Sequence, residues 1–140
     1  MALVHRLLQH LQASGVKTVI YQSQGTANVD FDKGAPSFGY MVTVTRRKCD
    51  VSRMLWRERA AVVVFFLDLA PLDYDGLKNE AVAERMAGCA RVFLRGVLGD
   101  DTLHVEGDTI DMRTAFDKYD GNLTGVSLEF EVAEAQGACF

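Results

Sequence analysis

An unbroken apolar run at residues 60–67 constrains the fold of this 140-residue chain more than any other feature. The run is rich in β-branched and aromatic side chains and ends at Asp68. It is too short to cross a bilayer, because a transmembrane helix needs about 20 apolar residues. This composition predicts a central β-strand, from about residue 59 to residue 68, that is covered on both faces.

A long amphipathic helix is predicted over residues 77–97, directly after an acidic turn that contains Asp68, Asp73 and Asp75. Asp75 is the expected N-cap, because its carboxylate can accept hydrogen bonds from the exposed amides of the first turn. The apolar residues that we assign to the buried face of this helix are Leu77, Ala81, Met86, Cys89, Ala90, Phe93 and Val97.

The remaining periodicities predict one short helix and five more strands. In the last strand, Val126, Leu128, Phe130 and Val132 alternate with Ser127, Glu129 and Glu131, which indicates one core side and one wet side. The order α-β-β-β-α-β-β-β predicts a single α+β domain over residues 1–140, with two helices packed on one face of a mainly antiparallel sheet. The additional elements are a helix at 1–11 and strands at 16–22, 38–45, 102–106, 111–119 and 123–134.

A basic segment, residues 46–59, is the best candidate for contact with a partner. Six basic residues against two acidic ones give it a net charge of +4, which leaves −8 for the rest of the chain. We expect it in the connection between two strands and at the ends of both. Tryptophan and arginine are common anchors of protein interfaces, so we favour a protein partner over nucleic acid. The candidate interface residues are Arg46, Arg47, Lys48, Arg53, Trp56, Arg57 and Arg59.

The residue patterns alone predict no catalytic, metal or cofactor site. Asp73 and Asp75, with Glu84 at the twelfth position, imitate the ends of a calcium loop. Leu77 and Lys78 stand where a ligand and the required glycine belong, so capping explains these acids better. The three histidines show no metal spacing and no nucleophile-elbow sequence occurs. The widely spaced Cys49, Cys89 and Cys139 suggest a reducing compartment.

Five stretches of the sequence carry a resemblance to known proteins: 65–68 (FFLD), 73–80 (DYDGLKNE), 84–86 (ERM), 119–128 (YDGNLTGVSL) and 137–140 (GACF). They resemble a group of small prophage proteins, the tail-completion or tail-terminator proteins of long-tailed phages. The resemblance implies a non-enzymatic α+β subunit that forms a ring with copies of itself and joins other phage tail or head–tail proteins. It implies no cofactor, no membrane and no specific nucleic-acid binding. The implied location is the cytoplasm of the bacterial host and then the virion tail.

Two other classes of function stay open at this point. One is a small enzyme or regulatory domain whose acidic turn works with a cofactor, which a metal-induced thermal shift would support. The other is a nucleic-acid-binding accessory protein that uses the basic segment, which salt-dependent binding to DNA would reveal.

Overall fold

The computed structural model describes residues 2–23, 38–43, 48–52, 55–69, 76–118, 123–134 and 138–139. These residues form an α+β fold of two helices and eight strands, which confirms the predicted class. The elements in chain order are α1 (Ala2–Gln12), β1 (Thr18–Ser23), β2 (Phe38–Thr43), β3 (Lys48–Ser52), β4 (Leu55–Leu69), α2 (Gly76–Leu98), β5 (Leu103–Val105), β6 (Asp111–Lys118), β7 (Leu123–Glu134) and β8 (Ala138–Cys139).

Strand β4 is the centre of the sheet and pairs along both of its edges. On one edge it pairs first with β3 and then with β2, and on the other edge with β8 and then with β7. Strand β7 carries β5 and β6 on its far edge, and β1 lies beyond β2. All of these pairs are antiparallel except β1 with β2, so the sheet is mainly antiparallel as predicted.

The core lies between the two helices and one face of the sheet. Residues at even positions of β4 and β7 point to this side, where Val62 lies opposite Phe130. Phe93 of α2 fills the space between the layers, with its ring 5.6 Å from that of Phe66 and 6.2 Å from that of Phe130. Helix α1 adds Leu3 and other leucines to the same cluster. The alternation predicted for the last strand is therefore confirmed.

The opposite face of the sheet, called the outer face below, is less buried than the sequence predicts. Ala61, Val63 and Phe65 of β4 point to it and are only half-buried, although Tyr40 stacks on Phe65 with ring centroids 5.9 Å apart. The central strand is therefore buried on its core side and partly covered on its outer face, where Leu67 is fully buried. A continuous apolar run does not distinguish a strand between two layers from one with a helix layer on one side.

The start of α2 corrects the predicted buried face of that helix. Leu77 is 84% exposed and Ala81 is also exposed, whereas Val82 and Ala83 are buried. The correctly assigned residues that follow, from Met86 onward, recur at steps of three or four positions, with Cys89 and Ala90 adjacent on the same face. The same helical spacing, continued from Met86 toward the N-terminus, leads to positions 82 and 83 and not to position 81. The prediction therefore placed the buried face of the first turns on the wrong side of the helix.

The predicted N-cap Asp75 and its neighbour Asp73 lie outside the described residues. Gly15, just after α1, has a φ of 100°, the left-handed conformation that glycine adopts readily where a helix ends. The predicted boundaries of the described elements mostly agree with the structure within two residues.

A polar contact joins the C-terminal ends of the two helices. His10 Nε2 donates to Asp100 Oδ2 over 2.7 Å, and Thr102 donates its amide and its hydroxyl to Asp100 Oδ1. The His10 ring lies against Gly96, where an added Cβ would be 2.7 Å from Nδ1. The hydrogen bonds from Thr102, and then that from His10, hold the pKa of Asp100 at about 2, below its usual 3.8.

This contact predicts a specific pH dependence of stability. A carboxyl group whose pKa is lower in the folded than in the unfolded state stabilises the folded protein fully when the pH is above the unfolded-state pKa. This stabilisation is lost as the pH falls through the folded-state pKa. We expect Asp100→Asn to lower the free energy of unfolding by about 1 kcal/mol at pH 7. In urea denaturation across a pH series, the difference from wild type should shrink as pH falls from 3.8 towards 2. A constant difference would contradict the role of this carboxylate.

Candidate partner-binding surface

Much of the basic segment is strand in the structure, which corrects its assignment to a connection. β3 and the first part of β4 are an antiparallel pair in which Cys49 lies opposite Glu58 and Val51 opposite Trp56. This strand pair was not predicted from the sequence, because the alternation of apolar and polar residues is short here and is interrupted by charged side chains. The segment therefore extends the sheet at one end of β4.

The described part of the predicted interface is smaller than the prediction. Arg46, Arg47 and Arg53 lie outside the described residues. For Lys48 and Trp56 the structure gives the strand positions, at the start of β3 and in β4. The side chains of Arg57 and Arg59 are described, are half-buried and lie on the outer face.

These two arginines belong to a group of charges that spans three strands. Arg59 donates to Glu131 Oε1 over 3.0 Å, and the guanidinium of Arg57 lies 3.7 Å from Glu106 Oε1. Glu106 also donates its amide to the carbonyl of Glu131 over 2.8 Å, and His104 lies 3.9 Å from its carboxylate. Part of the positive charge of the basic segment is therefore compensated within the chain.

A second charged area, called the acidic edge below, consists of Asp108, Asp111 and Glu129. Asp111 of β6 lies directly opposite Glu129 of β7, and all three side chains are exposed. Like charges at directly opposed strand positions destabilise a sheet. The alternation of β7 predicts that Glu129 faces outward, but only the register of β6 against β7 reveals its acidic neighbour.

A further acidic position lies near the end of β7. Burial, and then the negative charge of Glu58, raise the pKa of Glu134 above its usual range. Neither carboxylate was singled out from the sequence, because they are far apart along the chain and only the pairing of β4 with β7 brings them near each other.

Several residues considered for a metal or catalytic site have structural roles or surroundings in the described part of the chain. Glu84, the twelfth position of the supposed calcium loop, lies inside α2 and accepts from Arg91 over 2.9 Å. Asp68 of the acidic turn pairs with Arg85. Burial raises the pKa of the Cys89 thiol, which disfavours the reactive thiolate. Over the described ranges, no group of three or more His, Cys, Asp or Glu side chains is placed to hold a metal ion.

Neither helix of the described chain has both the length and the apolar character of a membrane span.

Comparisons with known proteins do not assign the chain to a family. No protein-family model matches it. No curated protein matches it either. One solved structure to which it is similar has a TM-score of 0.40 and 14% sequence identity, over 99% of this chain and 92% of the other. At this TM-score and identity, the likeness identifies neither a family nor a function.

Proposed function

We propose that this protein is a non-enzymatic structural subunit of a phage or prophage tail. It assembles with copies of itself into a ring, as a tail terminator or head–tail completion protein. The subunit is made in the bacterial cytoplasm and becomes part of the virion tail, where it contacts other tail or head–tail proteins. The resemblance of residues 65–68, 73–80, 84–86, 119–128 and 137–140 to such proteins motivates the proposal.

The observation that supports self-association best is the acidic edge. Asp111 and Glu129 are exposed and directly opposed, an arrangement that disfavours a sheet. The exposed Arg113, two positions along β6 on the same face, offsets part of this negative charge. A positively charged neighbour would relieve the repulsion, and the same chain carries one in its basic segment. A contact between unlike surfaces of identical subunits is heterologous, and it closes into a ring when the rotation permits.

The charges also favour a protein partner over DNA for the basic segment. Arg57 and Arg59 are partly compensated by Glu106 and Glu131, so less of their charge is available for a phosphate backbone. The remaining basic side chains are few, and the net charge of the chain is −4. A protein neighbour with a small acidic area matches this distribution better than a long polyanion.

Charge reversal can test the head-to-tail contact. We expect Arg46→Glu with Arg47→Glu to abolish assembly, and Asp111→Lys with Glu129→Lys to do the same. The fourfold variant restores opposite charges on the two surfaces and should recover assembly. Arg6→Glu, an exposed change on α1, is the control and should leave assembly intact. Sedimentation velocity at low and high salt measures self-association, and electron microscopy with tail tubes measures capping of tube ends.

Assembly in the free protein can be weak, because binding to a tail tube can supply the missing free energy. A monomer in dilute solution therefore agrees with the proposal. A wild-type protein that stays monomeric at high concentration and low salt, and that also fails to bind tube ends, would contradict it.

A further inference from the structure

We infer that the exposed face of α2 is a second self-association surface, where two copies pack their α2 helices antiparallel around a two-fold axis at Gly88. The contact is isologous and stops at two copies. It lies on the side of α2 that points away from the sheet and does not use the basic segment. It is therefore independent of the ring contact proposed above.

The exposed face of α2 carries two large apolar side chains among charged ones. Leu77 is 84% exposed and Val92 is 43% exposed, and both lie on one side of the helix with Ala81 and Gly88. Fifteen positions separate the two side chains and charged residues lie between them, so the self-complementarity of this stripe comes from its charges. Leu77 and Ala81, which were assigned to the buried face of α2 from the sequence, belong to this stripe.

Gly88 makes close approach of a second helix possible at the middle of the stripe. A Cβ added there would meet nothing within 4 Å, so the core does not require a glycine. Glycine inside a helix costs about 1 kcal/mol relative to alanine. Helices that cross at a glycine can bring their backbones close together. Close packing of a second helix would therefore account for a glycine at position 88.

The charges beside the stripe make it complementary to itself in the antiparallel orientation. Acidic Glu80 and Glu84 precede Gly88, whereas basic Arg91 and Arg95 follow it, and all four are exposed. An antiparallel pairing centred on Gly88 brings positions equally far before and after it together. Each glutamate of one copy then lies within about one turn of an arginine of the other copy. A parallel pairing would instead place like charges side by side.

The monomer shows that these charges reach across Gly88. The guanidinium of Arg91 lies 2.9 Å from Glu84 Oε1, although seven positions separate the two residues. Both side chains are more than half exposed. In the dimer, the two intrachain pairs of the two copies can be exchanged for two pairs between chains, so no charge loses its partner.

A mixing experiment distinguishes the contact between chains from the pair within one chain. Glu84→Arg puts two positive charges on the face, and Arg91→Glu puts two negative charges there. We expect each variant alone to dimerise at least about tenfold more weakly than wild type in sedimentation velocity. An equimolar mixture should recover a heterodimer, because both contacts between chains are then of opposite sign. In each variant, residues 84 and 91 of the same chain carry like charges. An ion pair within one chain therefore cannot explain recovery of the dimer in the mixture.

Gly88→Gln provides the second test. Glutamine is a better helix former than glycine and the site is open, so the monomer should stay at least as stable. Its bulk should nevertheless weaken the dimer at least about tenfold. Gln9→Glu, an exposed change on α1, is the control and should leave the dimer unchanged.

Three results would overturn the inference. They are a wild-type protein without a two-copy species up to millimolar concentration, a mixture that fails to recover the dimer, and a Gly88→Gln variant that dimerises like wild type. The ring proposal fails separately, through the variants of the basic segment and the acidic edge. Assemblies of more than two copies that respond to those variants alone would support the ring and contradict the α2 contact.

Discussion

Gly125→Ala should destabilise the protein by about 3 kcal/mol or more, because the new methyl group has no room. Gly125 lies opposite Leu67 in the pairing of β7 with β4. A Cβ there would lie 1.8 Å from the carbonyl oxygen of Phe66 and 3.1 Å from the Cα of Leu67. These are backbone atoms of the central strand, so no side-chain rotation can relieve the clash. The strand pair itself would have to move.

Urea denaturation followed by circular dichroism measures this effect, and loss of soluble protein would also agree with it. The matched control is the same substitution at Gly88, where a Cβ meets nothing within 4 Å. Gly88→Ala should raise the free energy of unfolding by about 0.5–1 kcal/mol through helix propensity. If the two alanine variants have similar stability, the close approach of β7 to β4 at Gly125 is not as the structure gives it.

Phe93→Ala should cost about 3–5 kcal/mol, the second of the two largest effects. Phe93 is fully buried and its ring contacts Phe66 of β4 and Phe130 of β7, so truncation leaves a cavity between the helix layer and the sheet. The neighbouring residue on the helix is the control. Val92 is 43% exposed, so Val92→Ala should change the free energy of unfolding by no more than about 0.5 kcal/mol in the monomer.

The measurement is again urea denaturation, at a protein concentration low enough to avoid self-association. Similar losses for the two variants would mean that α2 is rotated about its axis relative to the structure. Such a rotation would also remove the basis for the contact centred on Gly88, because the exposed stripe would then face the sheet.

Most helices and strands of the fold can be predicted from local residue patterns. The elements that were predicted wrongly or not at all show what such patterns cannot determine. In β7, alternation alone predicts which residues are buried, because neighbouring residues of a strand point to opposite faces. In α2, the stripe is right from Met86 onward but loses its phase before it, since one misplaced residue changes the angle by 100°. β3 was missed because a short charged strand gains its stability from its partner strand.

The candidate surfaces were only partly predictable. The basic segment is visible in composition, and its assignment to a partner interface stays a prediction. The acidic edge was not predicted, although Glu129 was placed on the wet side of its strand. Asp111 is distant in sequence, and its position opposite Glu129 depends on the register between β6 and β7. The exposed apolar stripe of α2 was likewise hidden by the assignment of Leu77 and Ala81 to the core.

The sequence by itself determined the α+β class, the central strand and the long helix, because runs and periodicities of apolar residues act over neighbouring positions. Tertiary structure alone decided which distant charges meet. Arg59 and Glu131 are 72 positions apart and pair over 3.0 Å because β4 and β7 align in one register. A shift of one residue would move every side chain of a strand to the other face. The surfaces available to a partner therefore depend on strand register and helix rotation, which local sequence does not encode.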